Sequence, residues 1–410
     1  MTEARPLTIL CLATYFKGGE FMRECYRQGC RVILVTKEKM LSEDWPREVL
    51  DDVIAVPLDA SPELFIDLAA HLSQRVKLDC VVALEEFDVI TAALVREHLG
   101  LPGMSSATAK MFRDKMAMAL TAGGDGIRLP EFVPLINPDE IRDFMMRVPP
   151  PWIIKPRSDV SAIGIRKVVT PEQVWETIAE LNAREILRER AAHYLLARFV
   201  SGDVFHVDSL VENNKVRFAG VNKYGRPPME VAHGGGAYIS QTIDYDGDEQ
   251  RELLRINRKL IKALGLKTGA SHAEFIKGAD GNFYFLEVAA RVGGAYIADV
   301  LEAATGINLW REWASMEVNA LHGGGVNSKA PRLRPRKDHA GIVLSLARQE
   351  WPDTAAYDDD EIVYRVKKKH HAGLIVRARR RERVSELLDS YVARFAEDFS
   401  AVLPPLERAE

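Results

Sequence analysis

The stretch "EFIKGADGNFYFLEVAARVGG", residues 274–294, decides how the rest of the chain is read. Two runs of β-formers flank Asp280-Gly281, a strong signal for a two-residue hairpin turn. That turn pairs Ala279 with Asn282, Lys277 with Tyr284 and Glu274 with Glu287. Two carboxylates then face each other with Cβ atoms about 5 Å apart, where like charges destabilise the ladder unless a cation sits between them. Strand alternation carries Ala289 and Arg291 onto the face of Glu287, and Gly293-Gly294 closes the run. Oxygen ligands without histidine suit Mg²⁺ or Mn²⁺, and Mg²⁺ held by one or two carboxylates takes its other ligands from phosphate and water. Nucleotide phosphate is the natural third party. The simpler reading pairs Glu287 with Arg291 and leaves Glu274 at a solvated edge.

Around this stretch lie 410 residues, 47% hydrophobic and 28% charged, enough for two or three domains. A net charge of −4 gives no reason to expect a nucleic-acid partner. No apolar run approaches the ~20 residues that span a bilayer, and the N-terminus lacks a signal-peptide layout. Cys11, Cys25, Cys30 and Cys80 form no zinc-type spacing and read as reduced, partly buried thiols, so a cytoplasmic protein is expected.

Upstream, "LTILCLATYFKGGEFMRECYRQGCRVILVTKE" reads as strand, glycine loop, amphipathic helix and strand. Further strand-helix pairs follow to about residue 100, so residues 1–104 are expected to form a parallel α/β layer. The first loop lacks the G-x-G-x-x-G spacing of dinucleotide binding. A helix is expected from about Ser106 to Leu120. Residues 105–325 follow as short strands with polar turns, including a subdomain over about 125–197, with helices at 171–190 and 247–265. A Gly, Pro and Arg-rich connector then leads to a small α/β unit, 326–410, whose basic "RVKKKHHAGLIVRARRRERV" reads as a solvated face.

"WIIKPRSDVSAIGI" adds an independent signal. A strand ends at Lys155, and the following loop carries Ser158, Ser161 and Gly164, whose hydroxyls and backbone N–H groups can converge on a phosphate. Lys115, beside Asp114 in "FRDKMAM", is an ordinary helix lysine by itself.

Taken in order, these residues resemble the ATP-grasp superfamily of ATP-dependent ligases over roughly residues 5–320. The resemblance rests on Asp114-Lys115 ahead of Gly126, Ile127 and Pro130, on Lys155 with its serine loop, on "YLLARFVSG", and on Glu274, Glu287 and Arg291. It implies a parallel N-terminal layer, then a two-lobed fold with antiparallel sheets and ATP between the lobes. Lys115 and Lys155 would contact the nucleotide, Ser158, Ser161 and Gly164 would belong to a loop over the phosphates, and Ala197, Arg198, Phe199 and Val200 would flank the adenine. Glu274 and Glu287 would hold Mg²⁺ or Mn²⁺, and Arg291 would neutralise the transferred phosphoryl group. Val204 stands where many members carry a Glu, which leaves His206 or Asp208 to serve the nucleotide or the neighbouring strands, with Asp208 as the expected nucleotide contact. Ala289 replaces the usual Asn between Glu287 and Arg291, removing one amide ligand.

The implied reaction is phosphorylation of a carboxylate by ATP and displacement of phosphate by an amine. "RVGG" resembles members that act on amino acids or small carboxylates, with His233, Gly293 and Gly294 toward the substrate; a homodimer is left open. Bicarbonate activation, as in biotin carboxylases, and a nucleotide-binding protein without turnover are the competing readings.

Overall fold

Four short apolar strands build the first unit of the chain. The computed structural model describes residues 5–160, 163–322 and 333–401. Strands β1 (Thr8–Leu12), β2 (Arg31–Lys37), β3 (Asp52–Val56) and β4 (Cys80–Ala83) pair in parallel in the order β3-β2-β1-β4. β1 and β4 are buried along their whole length, as strands covered by helices on both faces must be. The chain leaves β1 toward β2 and approaches β4 from the other edge, so the sheet order reverses at β1. The loops after β1 and β4 open there into a crevice, the place where open α/β sheets bind ligands.

A second sheet, β5 (Phe132–Pro134), β6 (Trp152–Pro156), β7 (Arg166–Val168) and β8 (Tyr194–Arg198), runs antiparallel in the order β5-β8-β6-β7. It has its own core of Trp152, Ile154, Phe144, Val174 and Leu196, shared with helices Pro138–Arg147 and Pro171–Asn182. The second helix stops at Asn182, short of the expected residue 190.

The third sheet is the largest: β9 (Gly202–Glu212), β10 (Lys215–Tyr224), β11 (Tyr238–Thr242), β12 (Gly269–Gly278), β13 (Phe283–Ala289), β14 (His339–Leu346), β15 (Ile362–Arg365) and β16 (His371–Ala378). Its order is β13-β12-β9-β10-β11-β14-β16-β15, all antiparallel. The C-terminal unit expected as separate therefore continues this sheet through the β11–β14 pairing, with helix Arg381–Asp398 packed on β14 and β16. Within its basic run, Arg383 is paired with Glu361 and Asp359 and Arg381 with Asp244.

Two local departures shape the site. The expected single helix after Ser106 is two, Ser106–Met111 and Lys115–Gly124, because Asp114 caps the second by accepting from Met116 N–H at 3.0 Å. In the β12–β13 hairpin the loop holds three residues, Ala279, Asp280 and Gly281, with Gly281 left-handed at φ 76°. Lys277 consequently pairs with Phe283, one residue off the expected register. A bulge at Leu286 absorbs the difference, and Glu274 pairs with Glu287 after all.

Candidate active site

The β5–β8 sheet and the large sheet enclose a cleft of about 640 Å³. One end is apolar, formed by Ile153, Ile165, Ile276 and Leu286 with the β8 exit from Ala197 through Arg198 and Phe199 to Val200. The other end gathers Lys115, Lys155, Glu274, Glu287, Arg291 and Gly294. The bulge turns both Leu286 and Glu287 toward this space, which strict alternation could not do.

Lys115 is the first residue of its helix, and the Asp114 cap is itself held by Arg157, whose Nε donates to Asp114 at 3.0 Å. Lys115 Nζ lies 2.9 Å from Glu287 Oε2 and donates to the Asp159 carbonyl at 2.5 Å. Lys155 faces the cleft from β6; burial brings its ammonium down to about 8, against the opposing pull of Glu287. Ser158 enters through its carbonyl, which accepts from Arg113 Nη2 at 2.7 Å. Gly164 is left-handed at φ 69°, a conformation that favours glycine. Ser161 lies outside the described residues, as does the His233 side chain in the short helix Pro228–Gly234.

Glu274 Oε1 accepts from Tyr224 OH at 2.7 Å and lies 3.4 Å from His272 Nε2. Behind His272, Asp208 takes His272 Nδ1 at 2.9 Å and His206 Nδ1 at 2.5 Å, and His206 Nε2 meets Ser240 Oγ at 2.8 Å. Asp208 is wholly buried and does not line the cleft, so the expected nucleotide contact is corrected: it orients histidines beneath the floor. Burial would raise the Asp208 carboxyl, but His272 and His206 hold it well below its ordinary value; in return Asp208 draws His272 up to about 9 against burial. Gly293 is explained by the same group, because a Cβ there would stand 2.7 Å from Asp208 Oδ1 and 3.1 Å from His272 Nδ1. Gly294 lines the cleft instead, with Lys17 Nζ at 4.0 Å from the position of a Cβ.

The simple pairing of Arg291 with Glu287 does not form. Arg291 Nη2 and Nε donate to Glu86 Oε2 at 2.8 and 3.2 Å. Glu86 Oε1 accepts from Arg113 Nη1 at 2.6 Å, and the neighbouring Glu85 holds Lys17 at 2.6 Å. Lys17, Glu85 and Glu86 come from the loops after β1 and β4, and sequence reasoning missed them. The available signal was their place in the loops that follow the first and fourth strands of the expected parallel α/β layer.

Glu274 and Glu287 fit a divalent cation by chemistry and position. Tyr224 and His272 engage one oxygen of Glu274 and Lys115 one oxygen of Glu287, which leaves one carboxylate oxygen of each for a metal. His206, Asp208 and His272 also stand close enough to hold an ion. Both Asp208 oxygens are already taken by ring nitrogens, so this trio is a hydrogen-bonded relay under Glu274.

Comparison with known proteins agrees with this geometry. Residues 148–299 match the ATP-grasp domain and residues 22–103 the ATP-grasp N-terminal domain. The chain is 22% identical over 244 residues to the L-arginine-specific L-amino acid ligase of Bacillus subtilis, a match spanning 58% of this chain and 58% of that enzyme. The L-amino acid ligase structure from Bacillus licheniformis superposes with a TM-score of 0.74 at 17% identity, covering 97% of this chain and 99% of that one. The biotin carboxylase domain of the Hydrogenobacter thermophilus 2-oxoglutarate carboxylase gives 0.72 at 15% identity, covering 97% and 91%. Such identities speak for the fold, and the two family matches together take in more than half of the residues. With its acid pair, its two lysines and its enclosing sheets in these positions, the chain belongs to the ATP-grasp superfamily.

Proposed function

We propose that this protein is an ATP-dependent carboxylate–amine ligase that activates a small carboxylate, of amino-acid type, as an acyl phosphate and joins it to an amine. The observation that carries this reading is the convergence of Lys115, Lys155 and Arg291 with the carboxylates of Glu274 and Glu287 at one end of a single cleft. A carboxylate attacking a polyanion needs charge neutralisation and alignment more than covalent help.

In this reading the adenine lies at the apolar end beside Ala197–Val200, and Lys155, with Lys115, holds the phosphates. Glu274 and Glu287 would hold Mg²⁺ or Mn²⁺, which supplies charge neutralisation at the phosphate oxygens. Arg291 offers a fixed guanidinium to the acyl phosphate. Lys17 and Arg291 flank the Gly293-Gly294 corner as cations for an incoming carboxylate, each held in place by a buried acid, Glu85 and Glu86. The relatives named as amino acid ligases support the same substrate class. No helix among the described residues is long and apolar enough to cross a membrane, and the four cysteines are free and buried, in keeping with a cytoplasmic enzyme.

The test is ADP release from Mg-ATP with panels of amino acids offered singly and in pairs, followed by mass spectrometry of the product. Turnover that needs both a carboxylate and an amine supports the assignment. Turnover on bicarbonate alone, or no ADP with any pair, overturns it.

A further inference from the structure

Arg113 occupies the break between the helices Ser106–Met111 and Lys115–Gly124, and its two arms point to different parts of the molecule. Nη1 donates to Glu86 Oε1 at 2.6 Å and Nη2 to the Ser158 carbonyl at 2.7 Å, while the guanidinium lies over the Phe87 ring at 5.2 Å. The second oxygen of Glu86 accepts from Arg291. Arg113 and Glu86 are each only 7% exposed, so neither is placed to bind substrate. One buried carboxylate is thus shared by two guanidiniums, one holding the phosphate-loop backbone and the other standing at the reacting end of the cleft. Burial disfavours the Glu86 charge, yet Arg291 and Arg113 keep its carboxyl below the ordinary value, so the bridge stays ionised at neutral pH.

We propose that Glu86 and Arg113 are positioning residues that couple the loop at Ser158 to Arg291, so that an anion bound by Arg291 alters the hold on the phosphate loop. An acyl phosphate or substrate carboxylate on Arg291 competes with Glu86 for the guanidinium. Glu86 then turns more fully to Arg113, and Arg113 holds the Ser158 carbonyl in the arrangement that keeps water from the intermediate. Arginine is required at position 113 because a planar fork can serve both partners, whereas a lysine serves one.

The part of this inference that concerns turnover rests on the ligase reading, and failure of that reading shows in the wild-type chain, which would then release no ADP. The coupling is tested separately by the affinity of a non-hydrolysable ATP analogue with Mg²⁺ in Arg113→Met, Arg291→Met and the double variant, by calorimetry. The expected double variant binds within about threefold of the weaker single variant, because both substitutions cut one relay. Effects that simply multiply overturn the proposal. Where turnover is present, Arg113→Met and Glu86→Gln should raise the ADP released per ligated product about tenfold, with Arg113→Lys intermediate. A proportional loss of ADP and product with an unchanged ratio is what a merely structural role produces, and it would also overturn the proposal. Melting temperatures identify any variant that has lost its fold, and Arg113→Lys keeps the charge if Arg113→Met does not fold.

Discussion

The two ends of the reacting site are built in opposite ways. The acid pair comes from one hairpin, Glu274 on β12 and Glu287 on β13, brought together by local register and a bulge. The end proposed to accept an anion takes Arg291 from beyond β13 and Glu86 from beyond β4, residues 205 apart in sequence. A hairpin can be read from its turn and its alternation. A contact between loops on different sheets depends on how those sheets are ordered and packed.

The largest expected effect falls on the hairpin. Glu287→Gln keeps the shape of the side chain but removes the charge that faces Lys115 and that would hold the proposed metal, so kcat should fall by about 10²–10³-fold, with an unchanged circular dichroism spectrum. A turnover rate equal to wild type would move the cation site elsewhere.

The adjacent glycines separate packing from substrate space. Gly293→Ala drives a Cβ against Asp208 and His272 and should cost about 1–3 kcal/mol in chemical denaturation. Gly294→Ala meets only the Lys17 ammonium, so stability should hold while KM for the carboxylate rises a few-fold. Equal destabilisation by both would erase the distinction between a glycine over the buried relay and one in the cleft.

Lys155 sharpens the comparison through pH. Its ammonium, brought down to about 8 by burial, is charged at pH 7 and loses its proton as pH rises through 8. Affinity for ATP should therefore weaken by about tenfold between pH 7 and 9.5, and Lys155→Arg should flatten that dependence. A flat wild-type curve would remove Lys155 from the phosphate contacts.

The smallest effect belongs to the N-terminal crevice. Burial pushes the Asp88 carboxyl up to about 7, and Oδ2 accepts from Thr14 N–H at 2.8 Å. Because the folded value lies above the unfolded one, this group's stabilisation is full below about pH 4 and is lost as pH rises through 7. Asp88→Asn stays neutral while keeping an acceptor, so it should match wild type near pH 4 and exceed it at pH 8 in denaturant titrations. A variant less stable at pH 8 would show that the charge is accommodated.

The N-terminal parallel layer was legible because its strands are continuous apolar runs alternating with amphipathic segments. The acid pair was legible for a less secure reason. The turn was one residue longer than expected, and the bulge at Leu286 restored the pairing that the simple turn implied. Asp208 was misplaced because the resemblance offered it in place of the Glu missing at Val204, and a resemblance does not reveal that Gly293 will cover it. The helix break at Asp114 had a signal in the capping preference of Asp, outweighed in the reading by the helix-forming residues on either side.

Sequence by itself determined most of the elements, the lysine-bearing strand and helix, and the hairpin that carries Glu274 and Glu287, because each follows from interactions among residues close along the chain. Tertiary structure alone decided that Arg291 answers to Glu86, that Arg113 bridges to the Ser158 carbonyl and that the C-terminal strands extend the large sheet. Those outcomes arise where buried charges from distant segments must find partners once water is excluded. The partner is whichever opposite charge the packing brings within reach.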